Sequence, residues 1–232
     1  MGKDKLKRFE EMASFKNVYQ NPSFKDPKMI NSEGTIVNLK GQWRKDHFVN
    51  ENPIVLELAC GKGEYAYNLA KRTPNKNFIG IDIKGARLHK GAKDATENNI
   101  QNVAYFRTKI ELLDLFFEEN EVDEIWITFC DPFPKDRHEK HRLTSNRFFD
   151  LYRKIAKKDT IIHLKHDNPD FFDYALERLK EEKIKPIVVE RDIYNNGTAH
   201  AILTEVQTHY EKMHIKDGRK INYLQFKLFG NG

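Results

Sequence analysis

The 232-residue sequence has only two cysteines, Cys60 and Cys130, and it lacks any uninterrupted apolar run near the roughly 18 residues that a membrane-spanning helix needs. Two cysteines are too few for a disulfide framework or a four-cysteine zinc site, so we expect both thiols to be reduced and buried. The charged segment Met1–Lys5 is not followed by the apolar core of a signal peptide. These absences predict a cytoplasmic protein that does not associate with membranes.

Charge is abundant and unevenly distributed. Charged residues make up 32% of the chain, against a usual share of about 25%, and 39% hydrophobic residues suffice for a full core. Residues 1–50 contain ten Lys and Arg against six Asp and Glu, so they hold most of the net charge of +5. We therefore predict a basic, partly irregular extension over residues 1–50 and one domain over residues 51–232. The extension either contacts RNA through its cations and aromatic rings or is a solvated surface segment. The aromatic residues in question are Phe15, Tyr19, Phe24 and Trp43.

From Pro53 onward, short apolar runs alternate with longer amphipathic segments, the rhythm of strand and helix in a parallel sheet. The predicted strands are Ile54–Leu58, Asn77–Ile81, Val103–Arg107, Val122–Phe129, Thr160–Lys165, Ile187–Arg191 and Ile221–Leu228. The predicted helices are Glu64–Arg72, Gly85–Asn98, Ile110–Glu118, Thr144–Lys157 and Pro169–Glu182, with a partly helical segment at Ala201–His214. This pattern predicts an α/β fold: a doubly wound, mostly parallel, seven-stranded sheet with helices on both faces and one antiparallel or mixed edge.

The turn after the first predicted strand has the features of a nucleoside site. Gly61 and Gly63 permit a tight turn and let backbone N–H groups approach a ligand at the start of a helix. The second strand ends at Asp82, 21 residues after Gly61, where a carboxylate can accept hydrogen bonds from both hydroxyls of a ribose.

Two ligands that contain a nucleoside, NAD and S-adenosylmethionine, fit this turn. Gly61 to Ala66 also satisfies the G-x-G-x-x-G/A pattern of dinucleotide sites, which keeps an NAD-dependent oxidoreductase open as an alternative. Glu57, four residues before Gly61, favours S-adenosylmethionine, because a carboxylate attracts a sulfonium and an ammonium group and repels a pyrophosphate. Alternatively, Glu57 is the structural partner of a buried Lys or Arg.

The loop after the fourth predicted strand begins with Asp131-Pro132-Phe133-Pro134-Lys135. Ligands of an open α/β sheet bind beyond the carboxyl ends of the strands, so Asp131 should face the same crevice as Gly61 and Asp82. The two prolines stiffen the backbone around Phe133. Asp131 is therefore the candidate reactive carboxylate, with turn capping as the structural alternative.

A charged run, Lys135 to Arg142, follows immediately and could hold a phosphate backbone, although most such runs are solvated surface. Its two histidines have no well-placed third ligand, so we predict no metal. Asp167, beyond the fifth strand, should border the same crevice.

Taken together, Leu56–Gly63, Asp82, Asp131–Lys135, Arg137–Lys140, Leu164–Asn168 and Thr204 resemble the bacterial tRNA (guanine-N7-)-methyltransferase family over roughly residues 50–228. The most specific piece is the D-P-[WF]-P-K-x-R-H-x-K-x-R run. The resemblance implies a class I S-adenosylmethionine-dependent methyltransferase with a Rossmann-like sheet. It also implies transfer of a methyl group to N7 of the variable-loop guanosine at tRNA position 46.

The resemblance implies roles for individual residues. Asp131 would be the catalytic or base-orienting residue. The cofactor-binding residues would be Glu57, Gly61, Gly63, Asp82, Thr108 and Asp131, and the tRNA-binding residues would be Lys135, Arg137, Lys140, Arg142, Asp167, Thr204 and Gln207. Phe133 replaces a usual Trp, Thr108 a common Asp, and Gln207 the final carboxylate of the T-x-x-E element.

The chemistry implied by the resemblance needs little from the protein besides positioning. Guanine N7 carries a free lone pair at neutral pH and requires no general base, which agrees with the lack of a Ser-His-Asp or Cys-His arrangement. Asp131 or Asp167 would orient the guanine through its N1–H and N2–H groups. A non-catalytic RNA-binding protein on a methyltransferase scaffold is a third alternative. We predict no obligatory protein partner.

Overall fold

The computed structural model describes residues 3–197 and 200–230 and contains one ten-stranded sheet. The strands are β1 (Val18–Gln20), β2 (Met29–Ile30), β3 (Ile36–Val37), β4 (Ile54–Leu58), β5 (Asn77–Asp82), β6 (Val103–Arg107), β7 (Val122–Thr128), β8 (Ala156–His166), β9 (Pro186–Glu190) and β10 (Asn222–Lys227). All seven predicted strands are present as β4–β10. The predicted number of seven is wrong, because β1–β3 extend the sheet at one edge.

Eight α-helices lie in the described ranges. They are α1 (Lys3–Ala13), α2 (Glu64–Arg72), α3 (Gly85–Glu97), α4 (Leu113–Phe116), α5 (Asn146–Arg153), α6 (Pro169–Glu181), α7 (Ile202–Glu205) and α8 (His209–Lys216). The helix predicted over Thr144–Lys157 is shorter, because β8 begins at Ala156. Helix α6 begins where expected: Pro169 occupies its first turn and the Asn168 side chain accepts a hydrogen bond from the Phe171 N–H at 2.8 Å.

The strand order, β3-β2-β1-β6-β5-β4-β7-β8-β10-β9, places β4 between β5 and β7. The chain winds in one direction from β4 through β6 and in the other through β7 and β8, all of them parallel. Strand β10 runs antiparallel to both β8 and β9, which confirms the predicted mixed edge. A doubly wound sheet of this kind binds ligands at the carboxyl ends of the strands where the winding direction reverses.

The first 50 residues contribute to the same sheet and core. Strand β1 pairs in parallel with β6, and α1 packs against α3, where Glu11 Oε2 lies 2.9 Å from His89 Nε2. Trp43 is fully buried and Tyr19 nearly so, which leaves neither ring free to stack on a base. The predicted division of the chain at residue 50 stays a prediction.

The two faces of the sheet carry separate hydrophobic clusters, one centred on Trp43, Phe106 and Phe149 and the other on Tyr65, Tyr105 and Trp126. Helices therefore cover both faces, as predicted. Cys60 and Cys130 are free, buried thiols, each two residues after the carboxyl end of a strand, β4 and β7 respectively. No helix within residues 3–197 and 200–230 has the length and apolar character needed to cross a membrane.

Candidate functional site

A cleft of about 700 Å³ lies along the carboxyl ends of β4–β8; we call it the strand-end cleft. The predicted site residues that line it are Glu57, Gly61, Asp82, Thr108, Asp131 and Asp167. Four of these residues are acids, on β4, at the end of β5, after β7 and after β8, and their carboxyl groups thus border one space. Their roles in binding and catalysis stay predictions.

Glu57 is the most deeply placed of these carboxyl groups, with 3% of its surface exposed. Its Oε2 accepts the Ala66 N–H at 2.8 Å, and its Oε1 lies 2.9 Å from the Thr128 hydroxyl oxygen. Burial nevertheless raises the pKa of Glu57 to about 8, because loss of water penalises the charged form more than these hydrogen bonds favour it. No Lys or Arg in the described part of the chain pairs with it, so the structural role proposed as an alternative is not seen there.

Asp82 fixes the glycine turn. Its Oδ2 accepts the Gly61 N–H at 2.9 Å, and its Oδ1 accepts the Lys84 N–H at 2.7 Å. A Cβ atom on Gly61 would meet nothing within 4 Å, so the backbone at this position is open to the cleft. Gly63 differs, because a Cβ atom there would lie 2.3 Å from the Tyr105 ring. Gly61 thus borders the space for a ligand, whereas Gly63 lies away from it and allows close packing.

Thr108 forms part of the cleft wall at the end of β6 although it is fully buried. Its hydroxyl accepts a hydrogen bond from the Asn21 side-chain amide at 3.1 Å, and its backbone N–H donates to the Asp82 carbonyl at 3.2 Å. Thr108, which stands where the family resembled by this sequence commonly has Asp, is therefore hydrogen-bonded to the N-terminal segment through Asn21.

The Asp131 loop holds an unusual backbone conformation. Phe129 and Phe133 have φ angles of 47° and 43°, in the left-handed region that non-glycine residues rarely occupy. Asp131 is exposed, and its Oδ1 accepts the Phe133 N–H at 3.1 Å. Such conformations persist only where the surrounding structure enforces them, and they concentrate at functional sites.

Arg142 supplies that enforcement. Its Nε donates to the Phe133 carbonyl at 3.0 Å and its Nη2 to the Pro134 carbonyl at 3.3 Å. The guanidinium stacks 4.4 Å from the centre of the Tyr174 ring, and only 11% of the side chain is exposed. Arg142 therefore faces the protein, unlike the other three predicted cations of this run, Lys135, Arg137 and Lys140, which are exposed.

Asp167 directly follows β8, and 8% of its side chain is exposed. Its Oδ2 accepts a hydrogen bond from Arg219 Nη1 at 2.8 Å and lies 3.0 Å from His214 Nδ1. His214 belongs to α8 and Arg219 to the segment between α8 and β10, and both line the cleft. Neither was predicted, because nothing in the spacing of the sequence relates them to Asp167.

Thr204 and Gln207 do not line the cleft. The Thr204 hydroxyl donates to the Ala201 carbonyl at 3.1 Å, and the Gln207 amide donates to the Tyr194 hydroxyl at 3.0 Å. A second run follows directly, Thr208–Glu211, which does end in Glu, and Thr208 lines the cleft.

The second run is anchored in the core. Thr208 caps α8 by accepting the Glu211 N–H at 3.1 Å, and Glu211 Oε1 lies 2.6 Å from Lys165 Nζ in a fully buried ion pair. A capping box has the sequence signature Thr-x-x-Glu, so this run was recognisable from the sequence and was missed.

Comparisons with known proteins show the family and the fold of the chain. The family model Methyltransf_4, described as a methyltransferase, matches residues 51–224. The tRNA (guanine-N(7)-)-methyltransferase of Christiangramia forsetii is 45% identical over 97% of this chain and 98% of its own. That of Bacteroides fragilis is 41% identical over 98% of this chain and 87% of its own.

Among solved structures, a mutant 16S rRNA (adenine(1408)-N(1))-methyltransferase from Catenulisporales acidiphilia with cosubstrate SAM has a TM-score of 0.56 at 13% identity. It covers 83% of this chain and 93% of its own, and it supports the Rossmann-like fold alone. The sequence relatives show the family as well as the fold, since their similarity extends over nearly the whole chain and includes the residues of the strand-end cleft. The chain belongs to the tRNA (guanine-N(7)-)-methyltransferase family.

Proposed function

We propose that this protein transfers the methyl group of S-adenosylmethionine to N7 of the variable-loop guanosine at tRNA position 46. One observation carries the proposal: the glycine turn, with Glu57 and Asp82, opens on the same cleft as Asp131 and Asp167. A methyl donor at the turn and a guanine at the two aspartates would share one space.

The residues at the turn suit S-adenosylmethionine, which supplies a methyl group on a cationic sulfur when bound. Gly61 leaves room for close approach, and Asp82 provides a carboxylate beside it for ribose hydroxyls. Glu57 is a buried acid that becomes anionic most readily beside a cation, because an opposite charge restores the ionised form that burial disfavours. An NAD pyrophosphate would gain nothing from it, and family membership removes the support for an oxidoreductase.

Asp131 and Asp167 would orient the base. The guanine N7 lone pair attacks the methyl carbon while the carbon–sulfur bond breaks and its electrons remain on sulfur. The purine gains a positive charge, which a nearby carboxylate stabilises. Holding the reacting atoms in line can by itself lower the barrier by several kcal/mol. The Asp131 loop suits such positioning, because Arg142 fixes its backbone.

Thr208 replaces Thr204 and Gln207 in our assignment of the family's T-x-x-E element. Thr208 borders the cleft and the acid of its run, Glu211, is present, whereas the earlier run ends in an amide away from the cleft. Glu211 would then act by fixing the backbone around Thr208, since Lys165 and the Tyr194 hydroxyl occupy Oε1.

The exposed cations Lys135, Arg137 and Lys140 would contact tRNA phosphates. The Phe133 ring, 5.6 Å from that of His141, would stack on the target base or its neighbour. A guanosine in folded tRNA must leave its stack to enter the cleft, and a stacking platform lowers that cost. We further propose that the enzyme works in the cytoplasm without an obligatory protein partner or metal.

Incubation with labelled S-adenosylmethionine and an unmodified tRNA transcript, followed by nucleoside analysis, tests the proposal. We expect 7-methylguanosine as the labelled product. A transcript with adenosine at position 46 is the matched control and should remain unlabelled. Label in another nucleoside, or equal label in the control, would contradict the proposal, and absence of transfer together with tRNA binding would favour the non-catalytic alternative.

A further inference from the structure

A second cavity of about 530 Å³ adjoins the strand-end cleft; we call it the basic groove. Its cations are Arg191, which pairs with Asp173, together with Arg219 and Lys220, and its carboxylates are Asp167 and Asp192. It shares Asp167, Asn168 and Arg219 with the cleft. The shared residues form the wall between the two spaces. A base bound at Asp167 would therefore have its own sugar and phosphate, or those of a neighbour, at the entrance of the basic groove.

Arg219 is hydrogen-bonded to the Asp167 carboxylate, which a guanine would need as its own acceptor. The two donors on the guanine edge, N1–H and N2–H, require both oxygens of an aspartate. In the free protein, Asp167 Oδ2 already accepts from Arg219 Nη1 at 2.8 Å. A guanidinium presents N–H groups in a plane, much as the guanine edge does, so the two compete for one carboxylate.

The other Asp167 oxygen is less committed. Oδ1 lies 3.5 Å from His166 Nδ1, but that nitrogen accepts the Asn168 N–H at 2.9 Å. His166 Nε2 points at the Cys130 carbonyl at 2.8 Å and donates to it, so the imidazole offers Oδ1 an acceptor and no proton. Oδ1 thus lacks a donor from His166, and the guanine edge would supply one.

Arg219 is also free to move. Its side chain is 52% exposed, whereas Asp167 is 8% exposed. The half-exposed guanidinium can change partners at little cost, because water screens its charge and its long side chain retains rotamer freedom. The nearly buried Asp167 carboxylate would then have the guanine edge as its partner. The basic groove adjoins the cleft at Asp167, and Arg219 already contributes to both spaces.

We propose that the basic groove binds a phosphate of the RNA backbone beside the target guanosine, and that Arg219 moves from Asp167 to this phosphate when the base docks. The inference rests on the proposed function. It makes Arg219 a positioning residue that couples docking of the base to recognition of the polynucleotide. A nucleoside without a phosphate would displace Arg219 from Asp167 and offer the guanidinium no new partner.

The experiment compares Arg219→Gln with Arg219→Lys and with Lys158→Gln. Lys158 is an exposed cation near the start of β8, about 30 Å from Asp167 at the opposite end of the same strand. Two quantities are measured for each protein: the salt dependence of binding to an unmodified tRNA transcript, and inhibition of methylation by guanosine.

Arg219→Gln should weaken tRNA binding and reduce the slope of log K against log salt by about 0.7 to 0.9, the contribution of one phosphate contact. Guanosine should inhibit this variant at a lower concentration than the unaltered protein, because no guanidinium competes for Asp167. Arg219→Lys should retain the slope, and Lys158→Gln should change neither quantity.

Asp167→Asn is the second variant, and guanosine is tested on it as a competitor of tRNA binding, because Asp167 would orient the base during methylation. Guanosine should no longer compete, and the full salt slope should remain, because Arg219 is then released. An unchanged slope in Arg219→Gln, or guanosine inhibition that weakens together with tRNA binding, would overturn the inference. That failure is distinct from failure of the proposed function, which would be seen as the absence of 7-methylguanosine with the unaltered protein.

Discussion

The Thr128 hydroxyl on β7 lies 2.9 Å from Glu57 Oε1 on β4, directly below the strand-end cleft. This contact crosses the point where the winding of the sheet reverses. It holds an acid that burial keeps largely protonated, with a pKa of about 8, at the place where a cationic ligand would sit.

Replacement of Glu57 by Gln should raise the free energy of unfolding at alkaline pH and weaken the binding of S-adenosylmethionine. Folding raises the pKa of Glu57 from 4.5 to about 8. The folded protein therefore binds the proton of the Glu57 carboxyl group more tightly than the unfolded chain does. The resulting stabilisation is fully present below pH 4.5 and is lost as the pH rises through 8, where Glu57 becomes a buried charge. Gln cannot ionise, so Glu57→Gln should be the more stable protein at pH 8.5 by on the order of a few kcal/mol.

Urea denaturation at pH 4.5 and pH 8.5 measures this difference, which should be much smaller at the lower pH. The same variant should bind S-adenosylmethionine at least about tenfold more weakly, with a smaller loss for S-adenosylhomocysteine, which lacks the sulfonium charge. Glu119→Gln, an exposed acid, is the control for both measurements. A stability difference that is independent of pH would show that Glu57 is ionised in the folded protein throughout.

The two glycines of the turn should respond differently to alanine. Both have positive φ angles, 56° for Gly61 and 68° for Gly63, so each substitution costs about 1–2 kcal/mol of backbone strain. Gly63→Ala also drives a methyl group into the Tyr105 ring, which adds about 1–3 kcal/mol. We expect the larger loss of unfolding free energy for Gly63→Ala, measured by urea denaturation. Equal losses would mean that Tyr105 moves aside freely.

Asp131→Ala should lower kcat more than tenfold and change the affinity for S-adenosylmethionine much less, because the carboxylate is exposed on the loop where the base would dock. Asp136→Ala is a matched control, since Asp136 is a fully exposed acid five residues along. Steady-state kinetics with tRNA and equilibrium binding of the methyl donor provide the two numbers. A loss of kcat below tenfold would transfer the orienting role to Asp167.

Lys140→Ala and Arg142→Ala should impair different properties of the enzyme, tRNA binding in the first variant and kcat in the second. Lys140 is exposed, so its loss should weaken tRNA binding and reduce the salt slope by up to about 0.9. Arg142 holds the carbonyls of Phe133 and Pro134, so its loss should lower kcat while the salt slope remains. An equal drop in slope for both variants would show that Arg142 leaves the loop to contact RNA.

The sequence was sufficient to predict β4–β10 and the winding of the sheet, because apolar runs of five or more residues have a recognisable pattern. Strands β2 and β3 have two residues each, which is too short for any alternation to be visible. Their position depends on pairing with β1, which in turn depends on β6. Strands held by partners distant in the sequence have no local signal.

The same limit applies to the candidate site. Residues that follow a glycine turn or end an apolar strand, such as Gly61, Asp82 and Asp131, were predictable because strand ends converge in this fold. The inward orientation of Arg142 was not, since the other three Lys and Arg residues of the same charged run look alike in sequence. Lys165 was equally obscure: its partner Glu211 lies 46 positions further along and returns to β8 only through the tertiary fold.

The pairing of β1 with β6 determines what a shortened chain would look like. Removal of the residues before Asn50 would turn β6 into an outer strand with a row of unpaired N–H and C=O groups, five residues long and almost wholly apolar. Thr108 would also lose its Asn21 partner beside the cleft. An exposed strand of this kind recruits strands from other molecules, so trimming the N-terminus to obtain a minimal enzyme would yield aggregates in place of a smaller catalyst.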